Sequence, residues 1–191
     1  MPKGGVIGTS SLRRESQIRN QFAGLNVRPL RGNVQTRLRK LDEGQFDGII
    51  LAAAGLERLG LRERIVEYLP VDVSIPSVGQ GALGIECLDT RQDIIDLLRG
   101  LDHGPTRICV EGERSVSRSL GGSCTSPIGA YARISGGRLE MSAFVAAPNG
   151  STCLRVAGRD EINKNGAIRL SQKLVNELNA LGARALLDEI E

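Results

Sequence analysis

The feature that most constrains the fold is a strand–turn–helix unit that occurs twice near the start of the chain and leads into a third strand. Gly4-Gly5-Val6-Ile7-Gly8 reads as a short buried strand ending at the Thr9-Ser10-Ser11 cluster. Ser10 or Ser11 is expected to cap a helix running to about Ala23, with Ile18, Phe22 and Leu25 on its apolar face. Val27-Arg28-Pro29-Leu30 is then extended, Arg31-Gly32-Asn33 is a turn capped by Asn33, and Val34, Leu38 and Leu41 mark a second helix that Gly44 stops. Phe46 to Gly55 is apolar enough to read as a third strand covered on both faces. Such alternation specifies an α/β domain with a parallel-type sheet and right-handed crossovers. Its ligands are expected at the carboxyl ends of the strands.

Those ends carry hydroxyls and arginines. A strand, a hydroxyl-rich turn and a helix N-terminus together form an anion site, because unpaired N–H groups and the positive end of the helix dipole converge there. Arg13 and Arg14 in the first turn oppose that dipole, so helix stability does not explain them. Arg31 stands just before the second helix and Arg37 one turn inside it. A guanidinium binds a planar carboxylate through two parallel hydrogen bonds, so Arg13, Arg14, Arg31 and Arg37 read as one carboxylate site. The alternative is a solvated basic face, since only four of the 25 basic residues are Lys and arginine is favoured throughout.

Charge is unevenly spread. Residues 1–40 hold seven Arg and two Lys against one Glu, a net +8, so the remainder is −5 within a total of +3. The basic part points to an anionic partner. Aromatic residues make up 3% of the chain and Trp is absent, which argues against base stacking on nucleic acid. No apolar run is long enough for a bilayer, and the first residues lack a signal pattern, so no membrane partner and a cytoplasmic location are expected. Cys87, Cys109, Cys124 and Cys153 are widely spaced without a CxxC pair, which suggests neither a metal site nor a disulfide framework. The single histidine, His103, reads as a solvated turn residue.

Residues 70–81, with two prolines and two glycines, look like a crossing or hinge. Ala82 to Leu88 reads as a strand, and Ile94, Leu97, Leu98 and Leu101 as a helix ending near Gly104-Pro105. A helix over about 106–120, strands near 128–134, 138–147 and 151–158, and a final helix with Leu170, Leu174, Leu178 and Leu181 as its stripe then give a small α+β domain. Its three-stranded antiparallel sheet is covered by helices. The expected organisation is an α/β domain over 1–77, a hinge crossing with a strand–helix segment over 78–102, and the α+β domain over 103–191. Between helix and sheet lies Gly121-Gly122-Ser123-Cys124-Thr125-Ser126-Pro127, which sets a thiol in a bend. Cys124 reads either as a displayed attachment point or as a small apolar gap-filler.

Five blocks carry a family resemblance: Gly8-Thr9-Ser10-Ser11-Leu12-Arg13-Arg14; Arg31-Gly32-Asn33-Val34-Gln35-Thr36-Arg37-Leu38; Leu51-Ala52-Ala53-Ala54-Gly55-Leu56; Pro76-Ser77-Val78-Gly79-Gln80-Gly81-Ala82-Leu83-Gly84-Ile85-Glu86-Cys87; and the loop of Cys124. In order, they resemble the porphobilinogen deaminase, or hydroxymethylbilane synthase, family. The resemblance implies a transferase of tetrapyrrole and haem biosynthesis that condenses four porphobilinogens, with loss of ammonia, on a cysteine-linked dipyrromethane primer. It implies that Cys124 is the attachment residue and that Thr9, Ser10, Ser11, Arg13, Arg14, Arg31, Gly32 and Asn33 bind the cofactor. Arg31, Arg37 and Gln80 would bind substrate. The implied α/β fold is half of a periplasmic-binding-protein-like arrangement.

Members of that family have three domains, and the N-terminal one, on the order of a hundred residues, has no match here. It carries the catalytic aspartate, so no catalytic residue is assigned to this chain. The resemblance thus implies a fragment of a monomeric enzyme, inactive without the N-terminal domain as partner. Residues 78–102 would be left uncovered, and their apolar side chains predict self-association. The alternative function is a non-catalytic polycarboxylate- or anion-binding protein.

Overall fold

A computed structural model describes residues 2–123 and 125–188. β1 (Val6–Gly8) lies between β2 (Asn26–Arg28) and β3 (Gly48–Ile49), and all three run parallel. The helices α1 (Leu12–Gln21) and α2 (Val34–Asp42) make the two crossovers, and α3 (Ala53–Arg58) follows β3. Gly8 pairs in register with both Arg28 and Ile49, so the strands end level and their following loops lie side by side. Space there is tight, because a Cβ on Gly8 would sit 2.9 Å from the Phe46 ring and 3.0 Å from Leu30. Ile7, Ile18, Val27, Leu30, Leu38, Phe46 and Leu56 are buried and form this unit's apolar interior.

α4 (Gln92–Leu98) and a single 3-10 turn at Arg99–Leu101 lead into the second unit, which opens with α5 (Gly104–Ser119). An antiparallel meander follows, β4 (Ile128–Ser135), β5 (Arg138–Ala146) and β6 (Cys153–Asp160), then α6 (Lys164–Ala180) and α7 (Ala183–Asp188). Alternate residues of β5 (Leu139, Met141, Ala143 and Val145) pack with Val116 of α5 and Leu170, Leu174 and Leu178 of α6. Each buried leucine contributes roughly 1.5–3 kcal/mol. Gly112 brings α5 close, since a Cβ there would meet Met141 at 2.5 Å and Ala167 at 3.4 Å. Phe144 and Ala146 point the other way and pack with Ile75 of the segment over residues 70–81, the crossover between the two units. α1 is shared by both units: Asn20 Nδ2 donates to Gly150 O at 3.0 Å, and Gln17 Oε1 accepts from Arg155 Nη2 of β6 at 3.0 Å.

Several expectations need correction. The third strand is two residues long, not ten, and Ala53-Ala54-Gly55 belong to α3. β3 is half-buried rather than covered on both faces. Ala82 to Leu88 forms no strand, since it finds no strand neighbour among the described residues to pair its backbone groups. Leu83, Ile85, Leu88, Leu97 and Leu101 are all exposed. α1 ends at Gln21 rather than Ala23. Of its expected apolar face Ile18 is buried, but Phe22 is 42% exposed because it lies past the last helical turn. Leu181 also lies past its helix, at the C-cap of α6, and is exposed.

Candidate functional site

The three loops beyond the parallel strands are fastened to one another. Thr9 N–H donates to Arg28 O at 3.0 Å and Ile50 N–H to Gly8 O at 3.2 Å. Ser10 Oγ accepts from Leu30 N–H at 3.0 Å, and Thr9 Oγ1 from Ser11 N–H at 3.2 Å. Neither serine therefore caps α1 as expected. Ser11 occupies the N-cap position without a side-chain capping bond, and the Ser10 hydroxyl is committed to the neighbouring loop. Asn33 does cap α2, its Oδ1 accepting from Thr36 N–H at 2.8 Å. Gly32 makes the turn with a φ of 121°, and a Cβ there would lie 2.8 Å from Thr36.

Arg13 is buried. Its Nη1 donates to Ile75 O at 2.8 Å and its Nη2 to Gln80 Oε1 at 3.2 Å. The half-buried Arg14 donates from Nη1 to Ile50 O at 2.9 Å. Burial, and then the Arg14 charge, lower the Arg13 pKa to about 10; burial, and then the Arg37 charge, lower that of Arg14. Both stay cationic at neutral pH. Arg37 is half-buried and donates from Nε to Gly32 O at 2.7 Å, while Arg31 is exposed. Among the described residues, none of these four guanidiniums is in an ion pair. Withdrawing a cation from water without an anion is unfavourable, so a carboxylate arriving here would relieve a deficit the fold has built in. The donor set fits a ligand bearing several carboxylates, and dipyrromethane, with its acetate and propionate groups, is of that kind.

Thr9, Ser10 and Ser11 thus sit on the loop after β1 and Arg31, Gly32 and Asn33 on the loop after β2, with Arg13 and Arg14 in the first turn of α1 and Arg37 in that of α2; the loop after β3 contributes the Ile50 carbonyl, and Gln80 joins them through Arg13. Cys124 lies outside the described residues. Its neighbours bond to each other, Ser123 N–H donating to Ser126 Oγ at 3.1 Å. His103 is an exposed residue at the N-cap of α5, its Nδ1 2.8 Å from Thr106 Oγ1.

Sequence reasoning missed Gln17, Glu113 and Arg155. Gln17 is fully buried on α1 and hydrogen-bonded to Ile75 and Arg155. The buried Glu113 accepts from Gly79 and Ala132 N–H groups. A signal for Gln17 was available: the buried face of α1 reads Arg13, Ser16, Gln17, Ile18, with polar residues where an apolar stripe belongs.

Comparison with known proteins adds the family. A profile described as "Porphobilinogen deaminase, dipyromethane cofactor binding domain" matches residues 1–96, and one described as "Porphobilinogen deaminase, C-terminal domain" matches residues 107–180. The chain belongs to the porphobilinogen deaminase family. It is 52% identical over 189 residues to the porphobilinogen deaminase of Nitrosomonas europaea, covering 98% of this chain and 60% of that protein. The relative from Thiobacillus denitrificans is 52% identical over 190 residues, covering 100% of this chain and 61% of that protein. The one from Desulforamulus reducens is 43% identical over the same length and coverage. The chain thus spans about 60% of the length of the curated porphobilinogen deaminases it matches. Among the described residues, no helix is long and apolar enough to cross a membrane.

Proposed function

We propose that this chain forms the cofactor- and substrate-holding part of a hydroxymethylbilane synthase. The observation that carries the reading is the pair Arg13 and Arg14, withdrawn from water without acid partners at the carboxyl edge of the sheet in a member of this family. In the proposed reaction each of four porphobilinogens loses its amino group as ammonia. A carbon–carbon bond replaces the broken carbon–nitrogen bond, the attacked pyrrole carbon gives up its proton, and water finally releases the linear product.

When bound, dipyrromethane would supply the primer for chain growth, with Cys124 as its attachment point. Arg13, Arg14 and Arg31 would hold the acetate and propionate groups, and Thr9, Ser10, Ser11, Gly32 and Asn33 would shape the backbone around them. Arg31, Arg37 and Gln80 would orient the incoming substrate. Fixing carboxylates with forked donors lowers the entropy of bringing two pyrroles together, which supports a role in positioning rather than proton transfer. No catalytic residue is assigned to this chain.

The organisation proposed with this reading is one half of a periplasmic-binding-protein-like domain over 1–77, a crossing segment over 78–102 and the cofactor-bearing domain over 103–191. The exposed Leu83, Ile85, Leu97 and Leu101 support a further contact made by that crossing segment, either to the part of the relatives this chain does not span or to a second copy. The proposed compartment is the cytoplasm, where free thiols such as Cys87, Cys109 and Cys153 stay reduced.

The test is intact mass and turnover. Produced together with the part of the relatives it does not span, the chain is expected to carry an added mass of two linked pyrroles and to consume porphobilinogen. Both should be lost in Cys124→Ser, and the chain alone should turn over nothing. Tight polycarboxylate binding without added mass or turnover would favour a non-catalytic binder instead.

A further inference from the structure

We infer that Gln17 is a positioning residue: its side-chain amide fixes the Ile75 peptide that aims the Arg13 guanidinium and ties the same point to Arg155 on β6. The inference rests on the carboxylate-binding role proposed for Arg13. Gln17 is fully buried, and its amide spends all its capacity. Nε2 donates to Arg13 O at 2.9 Å and to Ile75 O at 3.2 Å, while Oε1 accepts from Ile75 N–H at 2.8 Å and from Arg155 Nη2 at 3.0 Å.

The Ile75 carbonyl is thereby shared, since it also accepts from Arg13 Nη1 at 2.8 Å. A shift of that peptide moves the main acceptor holding Arg13. Arg155 is itself restrained: it bonds to the carbonyls of Asp72 and Val73, and its guanidinium lies 5.8 Å from the centre of the Phe144 ring. One amide therefore links the binding arginine, the crossover and the antiparallel sheet.

Packing alone does not call for this residue. Leucine or methionine would fill the volume on α1 but would leave the Ile75 N–H and one Arg155 donor without their partner. Glutamate has the right shape and both acceptor sites, yet it has no N–H for the two carbonyls. Only an amide serves both polarities at once.

The experiment uses the full chain, with free dipyrromethane bearing acetate and propionate groups as probe and calorimetry as readout. Gln17→Met should weaken binding about tenfold and speed hydrogen exchange at the Ile75 amide by at least as much. Combined with Arg13→Gln, it should weaken binding no further than Arg13→Gln alone, because both act through one guanidinium. Gln17→Glu keeps the acceptors and should fall between Gln17→Met and wild type, which preserves the test if the methionine variant does not fold. Binding within twofold of wild type in the folded Gln17→Met protein, or additivity with Arg13→Gln, overturns the proposal. An Arg13→Gln protein that binds like wild type brings down the carboxylate reading and this proposal with it, a pattern distinct from failure at Gln17 alone.

Discussion

Glu113 on α5 accepts the Gly79 backbone N–H at 2.6 Å, reaching from the second unit to the crossover, and takes the Ala132 N–H of β4 at 2.8 Å on its other oxygen. With Arg13 and Gln17 holding Ile75 from the opposite side, the crossover is gripped at both ends by buried polar side chains. Glu113→Ala leaves two inward-facing N–H groups unpaired and should destabilise the fold by about 2–4 kcal/mol, read from denaturant unfolding.

The same carboxylate gives the fold a pH dependence. Burial holds the Glu113 pKa above its ordinary value of 4.5, against the lowering influence of the two N–H donors. The folded protein therefore binds this proton more tightly than the unfolded chain does. Its stabilisation is complete below about pH 4.5 and disappears as pH rises through the elevated value. Unfolding free energies measured from pH 4 to 8 should show wild type losing stability relative to Glu113→Gln. Parallel profiles would count against the assignment.

Function and stability should separate at Arg14. Arg14→Met removes a charge that burial disfavours at the loss of one hydrogen bond to Ile50, so stability should change by no more than about 1 kcal/mol. Affinity for a polycarboxylate should nevertheless fall at least tenfold, since the fork is gone. Calorimetry beside thermal unfolding checks both.

Gly150 bears on how the two units meet. It has a φ of 75°, and a Cβ there would lie 2.6 Å from Arg19 Cβ and 2.8 Å from Ser16 O, so the turn presses directly on α1. Gly150→Ala should cost roughly 2–3 kcal/mol. Gly136→Ala, at a φ of 55° with nothing within 4 Å, should cost only the backbone strain of about 1 kcal/mol.

Exposed apolar side chains on the crossing segment predict self-association. The chain should sediment as more than a monomer at raised concentration, and Leu83→Ser with Leu97→Ser should return it to monomer. A monomeric wild type at every concentration would count against the prediction.

The second unit was legible in the sequence because its signals are local. Two-residue alternation in β5 and the leucine spacing of α6 each settle their element without reference to distant residues. Phe46–Gly55 misled because an apolar run alone does not distinguish a strand from the start of a helix, and the helix claimed Ala53. Ala82–Leu88 failed for the opposite reason, since a strand needs a partner and its pattern cannot say whether one is present. At the site, the hydroxyl and arginine clusters were readable because they abut the strand ends. Gln17 left only the trace of a polar residue on the buried face of α1, and Glu113 and Arg155 left none, because the partners of the three lie 58, 34 and 138 residues away in hydrogen bonds no local pattern encodes.

The unequal burial of the arginines has an ionic consequence. Dissolved salt reaches the exposed Arg31 freely and weakens its pull on an anion, whereas the surroundings of Arg13 admit little counterion. Raising the ionic strength should therefore strip away one part of the affinity and leave the other standing. A ligand able to reach only the inner arginines would bind almost as well in concentrated salt as in dilute buffer.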